Sequence, residues 1–250
     1  MKIIACYSNK GGVGKTAASV NLAYAMAASG NRTLLCDLDP QGASGFYFRV
    51  KPSKKLTDMA FFKDVEKFTD AICGSDYENL DILPANISFK DFDIFLSRMR
   101  NSHSRLKTSL KAVKKDYDVI VLDCPPTIST LSENVFHSAD AILVPVIPTT
   151  LSQRTFEQLI AFFKENKLPV QKLHGFFSMV QSVKKLHTET IDAMSVTFKR
   201  RFMQTHIPFA SDVERMGIHR APIMATAPTS AAGMTYHALY EEIMDRIARS

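Results

Sequence analysis

Tryptophan is absent and cysteine is scarce: Cys6, Cys36, Cys73 and Cys124 are the four thiols in 250 residues. No two of them stand in a C-x-x-C spacing, and three lie inside apolar strand-like runs. That pattern fits buried thiols in a reducing compartment better than a disulfide framework or a metal knuckle. Glycine (10) and proline (11) are too few for a low-complexity or collagen-like chain. No 20-residue apolar run exists that could span a bilayer. The apolar stretch after Lys2 meets polar Ser8-Asn9-Lys10 too soon to form a signal-peptide core. The seven histidines are scattered, without the H-x-x-x-H or H-E-x-x-H spacing of a catalytic zinc site. Acidic residues are in deficit, 25 against 31 Lys and Arg, for a net charge of +6. The surplus permits an anionic partner and identifies none. The expectation is a cytoplasmic protein, one domain over 1–250 with a continuous core.

Short runs rich in Ile, Leu and Val occupy 2–8, 32–38, 79–83, 117–123, 139–147 and 173–180, mostly without period-two alternation. Such strands are buried on both faces. Helical patterns lie between them, most clearly at 17–28, 89–100, 104–115, 152–165, 188–201 and 232–249. The alternation predicts an α/β fold with a mostly parallel central sheet and helices on both faces. No internal repeat or linker interrupts it. In the weakest stretch, 42–76, Lys51-Pro52-Ser53-Lys54-Lys55 reads as an exposed turn before a weak helix.

The strongest signal is Ser8-Asn9-Lys10-Gly11-Gly12-Val13-Gly14-Lys15-Thr16, placed between the first strand and the first helix. Backbone N–H groups freed by the glycines can surround phosphate oxygens, and the following helix adds its positive end. Lys15 reaches the β- and γ-phosphates, and Thr16 offers a hydroxyl to Mg²⁺. This predicts a nucleoside triphosphate site. Asn9 stands where the ordinary pattern has its first glycine, and a second lysine, Lys10, opens the loop.

That loop resembles the deviant Walker A loop of the ParA/MinD family of P-loop ATPases. Asp37-Leu38-Asp39-Pro40-Gln41-Gly42 is similar to the family's D-x-D-P-Q-G motif, and the run from Tyr117 through Asp123 to Pro126 is similar to its Walker B strand. Val144-Pro145-Val146 and Ile207-Pro208 match later motifs, so the resemblance runs from residue 2 to about 222 in the family's order. It implies ATP and Mg²⁺ as cofactors, a loop of Lys10, Gly11, Gly12, Val13, Gly14, Lys15, Thr16 and Ala17 around the phosphates, and Pro208 and Ala210 beside the adenine. Asp123 and Asp37 would support the metal with Thr16, and Asp39 would orient the attacking water. A pair of strand-end capping aspartates is the other reading of Asp37 and Asp39. Lys10 would cross to the phosphates of a partner subunit, which makes a homodimer part of the ATP state; Lys10, Lys15 and Asp39 form the expected catalytic set. Two departures matter: Ala17 replaces a threonine, and Phe209 and Ala210 stand where an Arg and an adenine-contacting Asn are common.

Residues 164–220 carry ten Lys or Arg against five Asp or Glu. Lys184, Lys185, Lys199, Arg200, Arg201 and Arg220 are the candidate contacts to non-specific double-stranded DNA. A second basic stretch, 98–115, has seven cations and no acid, and a plain surface helix accounts for it equally well. The last helix has apolar positions at 239, 240, 243, 244 and 247 and reads as packed on its own domain, not as a membrane anchor. An iron–sulfur carrier of the same superfamily would need bridging cysteines, and only Cys124 is near the site. The resemblance thus implies a nucleoid-associated ATPase that positions a cargo and is stimulated by a ParB-like or adaptor protein. A MinD-like membrane switch and a docking dimer with negligible turnover are the alternatives.

Overall fold

The computed structural model describes residues 1–248. Among them a seven-stranded sheet is formed by β1 (Lys2–Cys6), β2 (Thr33–Asp37), β3 (Cys73–Gly74), β4 (Leu80–Leu83), β5 (Val119–Asp123), β6 (Ala141–Val146) and β7 (Leu173–Phe177). The order is β3-β4-β2-β5-β1-β6-β7. Every pairing is parallel except that of the two-residue edge strand β3 with β4. The expected α/β architecture is therefore present, with the antiparallel edge as an addition.

Alternate residues of the central strands feed two apolar layers. Ile3, Ala5, Leu34, Cys36, Ile120, Leu122, Ile142 and Val144 face one layer. Ile4, Cys6, Leu35, Val119, Val121 and Leu143 face the other, where the Lys15–Ala28 helix and the C-terminal Ala231–Ala248 helix pack. Each strand is apolar at nearly every position because both of its faces are covered. Pro145 interrupts no ladder bond of β1, whose pairing with β6 ends at Leu143.

Three expected helices are altered. The 89–100 pattern becomes a 3₁₀ segment (Ile87–Asp91) followed by a short α-helix (Phe92–Ser97). Phe89 and Phe92 stack with centroids 4.2 Å apart, an i,i+3 pairing that the tighter 3₁₀ turn brings into line. The 104–115 pattern divides similarly around Arg105–Leu110. The 188–201 pattern starts early, at Lys185, and its last turn, Lys199–Arg201, is 3₁₀. In the 232–249 helix Arg249 lies outside the described residues, while Leu239 and Ile243 are buried and Tyr240, Met244 and Ile247 pack against the same layer.

The 42–76 stretch is more ordered than a turn and a weak helix. Beyond the exposed 51–55 turn, Thr57 caps the Asp58–Lys63 helix by accepting from the Ala60 N–H, and Asp64 caps Val65–Asp70 by accepting from the Lys67 N–H. These two helices bury Phe61, Phe62 and Phe68, and the Phe61 ring meets four other phenyl rings edge-on or tilted. No helix among the described residues is long and apolar enough to cross a membrane.

Candidate functional site

All the parallel strands point their C-terminal ends the same way, and the motif residues collect there, as ligand sites do in open α/β sheets. The loop after β1 needs left-handed backbone at Gly12 (φ 69°) and Gly14 (φ 92°). Gly14 also lies under Ser178, whose Oγ would sit 2.9 Å from a Cβ placed there. The Lys15–Ala28 helix then aims its first N–H groups at the cleft. Lys15 is buried, and its ammonium donates to the Lys10 carbonyl at 2.9 Å. Burial lowers its pKa, while Asp123 and Asp39 oppose that shift.

Asp37 and Asp123 end neighbouring strands and face each other in register. Both are buried, and burial together with carboxylate repulsion raises their pKa values. Local donors oppose that rise without cancelling it. Asp37 accepts from the Asp39 N–H at 3.1 Å and the Ser44 N–H at 3.0 Å. Asp123 accepts from the Ser44 hydroxyl at 2.8 Å and the Ser19 hydroxyl at 3.2 Å, and the nearby Thr16 hydroxyl also favours its charged form. Asp39 accepts from the Gln41 N–H and shares the rim of one cleft with residues 11–17, Tyr47, Pro126, Met179 and Glu214.

These oxygen donors, one hydroxyl and two carboxylates, suit a hard divalent cation that keeps several waters. Among the described residues no three His, Cys, Asp or Glu side chains converge to cage a metal unaided. The set therefore fits Mg²⁺ bound together with phosphate oxygens better than a resident structural ion.

Pro208 and Ala210 line an adjoining apolar recess with Gly14, Ala17, Ile207 and Tyr236. The whole phosphate loop, the three aspartates and the two late-motif residues are thus brought together. Lys10 lines a separate recess with Asn9, Val13, Ser152 and Phe156, and its Nζ donates to the Ser152 Oγ of its own chain at 3.2 Å.

The six candidate DNA contacts are not brought together. Lys184 and Lys185 begin the Lys185–Phe198 helix, and Lys199, Arg200 and Arg201 follow its other end, about 21 Å away at 1.5 Å per residue. The Arg201 guanidinium donates to the Val170 carbonyl. Arg220 caps the Ser211–His219 helix, donates to the Phe46 carbonyl at 3.0 Å and stacks over the Phe46 ring.

Sequence reasoning missed Ser44 and Ser19. Ser44 follows the D-x-D-P-Q-G run by two residues and Ser19 sits one turn after Lys15, so their positions beside the recognised motifs are the signal that could have marked them. Of the four free thiols, Cys6, Cys36 and Cys124 are buried and Cys73 is half-buried on the edge strand. Burial pushes the Cys6 thiol up to about 12, which leaves it unreactive.

The AAA domain family matches residues 1–174. The sporulation initiation inhibitor protein Soj of Bacillus subtilis is 31% identical over 248 residues, covering 97% of this chain and 98% of Soj. The chromosome partitioning protein ParA of Myxococcus xanthus is 28% identical, covering 97% and 88%. In shape, the chain is similar to cobyrinic acid a,c-diamide synthase from Mycobacterium smegmatis with bound ATP analog and magnesium. The TM-score is 0.81 at 23% identity, covering 100% of this chain and 96% of that one, a likeness of fold. Matched along nearly its whole length in sequence, and carrying the lysine-opened phosphate loop with its aspartates at the same strand ends, the chain belongs to the ParA/MinD family of P-loop ATPases.

Proposed function

We propose that the chain is a ParA-type ATPase, one domain over 1–250, that dimerises on ATP, binds DNA without reading its sequence and hydrolyses ATP when a cargo-bound partner stimulates it. The observation that carries this is that Lys15, Thr16 and Asp39 line one cleft at the strand ends, with the buried Asp37 and Asp123 paired in register at those same ends and Lys10 opening the loop beside them. The related Myxococcus protein is named for chromosome partitioning, and the M. smegmatis enzyme of the same fold holds an ATP analog with magnesium.

Residues 11–17 would cradle the phosphates, and Lys15 would exchange the Lys10 carbonyl for phosphate oxygens. Thr16, with Asp37 and Asp123 behind it, would hold Mg²⁺, which when bound neutralises charge on the transferring phosphoryl group. Asp39 would orient the water. The recess at Pro208 and Ala210 would take the adenine. Lys10 would leave Ser152 and reach the partner's phosphates, adding charge-assisted bonds that exist only while the triphosphate does. Dimerisation and hydrolysis are then linked equilibria. Lys199, Arg200 and Arg201 supply the basic contacts to DNA, and the protein works on the nucleoid to place a plasmid, chromosome region or protein assembly.

Titration calorimetry with ATP and Mg²⁺ tests the site, with phosphate release alongside. Lys15→Ala is expected to lose nucleotide binding, and Asp39→Ala to bind ATP while losing turnover. Retained ATP affinity in Lys15→Ala, or unchanged turnover in Asp39→Ala, would overturn the assignment of that residue.

A further inference from the structure

The basic stretch 98–115 plays no part in the nucleotide site, and its place in the fold gives it another use. Arg98, Arg100, Lys107, Lys111, Lys114 and Lys115 are all exposed. Among the described residues none of these six has a carboxylate within ion-pair distance. Lys114 and Lys115 come just before β5, and Lys172 just before β7, so both lie at the N-terminal ends of parallel strands, away from the nucleotide cleft. The Lys185–Phe198 helix returns to that same end and delivers Lys199, Arg200 and Arg201 there. Those three line an open groove of about 500 Å³ with Gln171, His174 and Thr197.

Lys172 joins the two groups. Its ammonium donates to the Phe136 carbonyl at 3.4 Å; burial lowers its pKa and Lys107 adds to that, while His137, lowered first by burial and His103, feels both lysines. Of the acids nearby, Asp116 is exposed beside Lys115 and close to Arg32, and three others are engaged. Glu133 pairs with His103, Asp118 pairs with Arg32, and Asp140 accepts from the Ile3 N–H. From β5 to β7 is three strand spacings, about 14 Å, and the flanking helices lengthen the row at both ends.

We infer that Lys107, Lys111 and Lys114 extend the basic footprint of Lys199, Arg200 and Arg201 into a continuous track for the phosphate backbone of duplex DNA, at the end of the sheet opposite the nucleotide. A row of unpaired cations of this length matches about four successive phosphates of one strand at 3.4 Å each. An acidic protein partner would call for apolar anchors among the cations, whereas the exposed residues between Lys107 and Lys115 are Thr108 and Ala112, besides the lysines. The inference rests on the DNA-binding reading above and adds residues to it.

The test is binding to a random-sequence duplex with ATP and Mg²⁺ across a salt series. Four full-length proteins are compared: wild type, Lys107→Ala/Lys111→Ala/Lys114→Ala, a control with equal loss of charge in the exposed turn (Lys51→Ala/Lys54→Ala/Lys55→Ala), and Lys199→Ala/Arg200→Ala/Arg201→Ala. Melting temperatures within a few degrees of wild type establish that each is folded. The track predicts about tenfold weaker binding for the first variant at moderate salt, a log–log salt slope smaller by roughly 2 to 3, and near-wild-type binding for the turn control. Equal losses in the first variant and the control would reduce the effect to net charge and overturn the track. Wild-type binding in the first variant, with loss in the 199–201 variant, would overturn the track and leave DNA binding standing. No duplex binding by wild type in any nucleotide state would overturn the DNA reading itself, and the track with it.

Discussion

Ser44 touches both buried carboxylates at once, giving its hydroxyl to Asp123 and its N–H to Asp37. Removing the hydroxyl leaves one Asp123 oxygen short of a donor in a fully buried place, at a cost of about 1–3 kcal/mol. It also frees that carboxylate to turn. Ser44→Ala is therefore expected to lower turnover by about tenfold while changing ATP affinity less than threefold, and Ser44→Thr to recover part of the loss; single-turnover and equilibrium binding measurements separate the two quantities. A second residue sets an acid limit on stability. Burial, aided by Arg246 and Arg201, lowers the His174 imidazole from 6.5 to about 4. The folded chain keeps it neutral where the unfolded chain takes a proton. Its contribution is present above pH 6.5 and disappears as pH falls toward 4, on the order of 2 to 3 kcal/mol. Denaturant unfolding between those values should show the decline, and His174→Leu should make it shallower.

At the scale of elements, long runs and short ones differ in how much of their structure is local. The central strands were legible because five consecutive apolar residues buried on two faces have few other uses, and the phosphate loop because its glycines and lysines occur between a strand and a helix. The Asp58–Lys63 and Val65–Asp70 helices showed only as one weak helix after the turn, since a six-residue helix has too few internal bonds to stand alone. What holds them is a cluster of phenyl rings contributed by residues 61, 62, 68, 89 and 92, a set separated too widely in sequence to show as a period. Phe61→Ala should accordingly cost about 3–5 kcal/mol in denaturant unfolding, with the apolar layer around the Lys15–Ala28 helix least disturbed. A loss below about 1 kcal/mol would mean that the rings do not hold this region. The serines that orient Asp123 escaped notice for a related reason: their partner lies 79 and 104 residues away along the chain.

For the whole molecule, the sheet separates two kinds of chemistry. Its C-terminal edge gathers the carboxylates and the phosphate loop, and its N-terminal edge gathers lysines and arginines. The basic residues at 184, 185 and 220 belong to the first edge and those at 199–201 to the second, a division that charge counting along the sequence could not reveal. On the proposed reading, two copies joined at their phosphate loops carry their basic edges at the two outer ends of the dimer, and each edge raises the other's effective concentration on separate segments of a long DNA. The proposed coupling of nucleotide to DNA depends on the ATP state being a dimer made by Lys10. Sedimentation velocity of Asp39→Ala with Mg²⁺ and ATP, ADP or no nucleotide, beside the Asp39→Ala/Lys10→Ala double variant, measures that directly. Asp39→Ala should be a dimer with ATP alone and the double variant a monomer throughout; monomers in every state, or ATP dimers that survive the loss of Lys10, would overturn the cross-subunit role of Lys10.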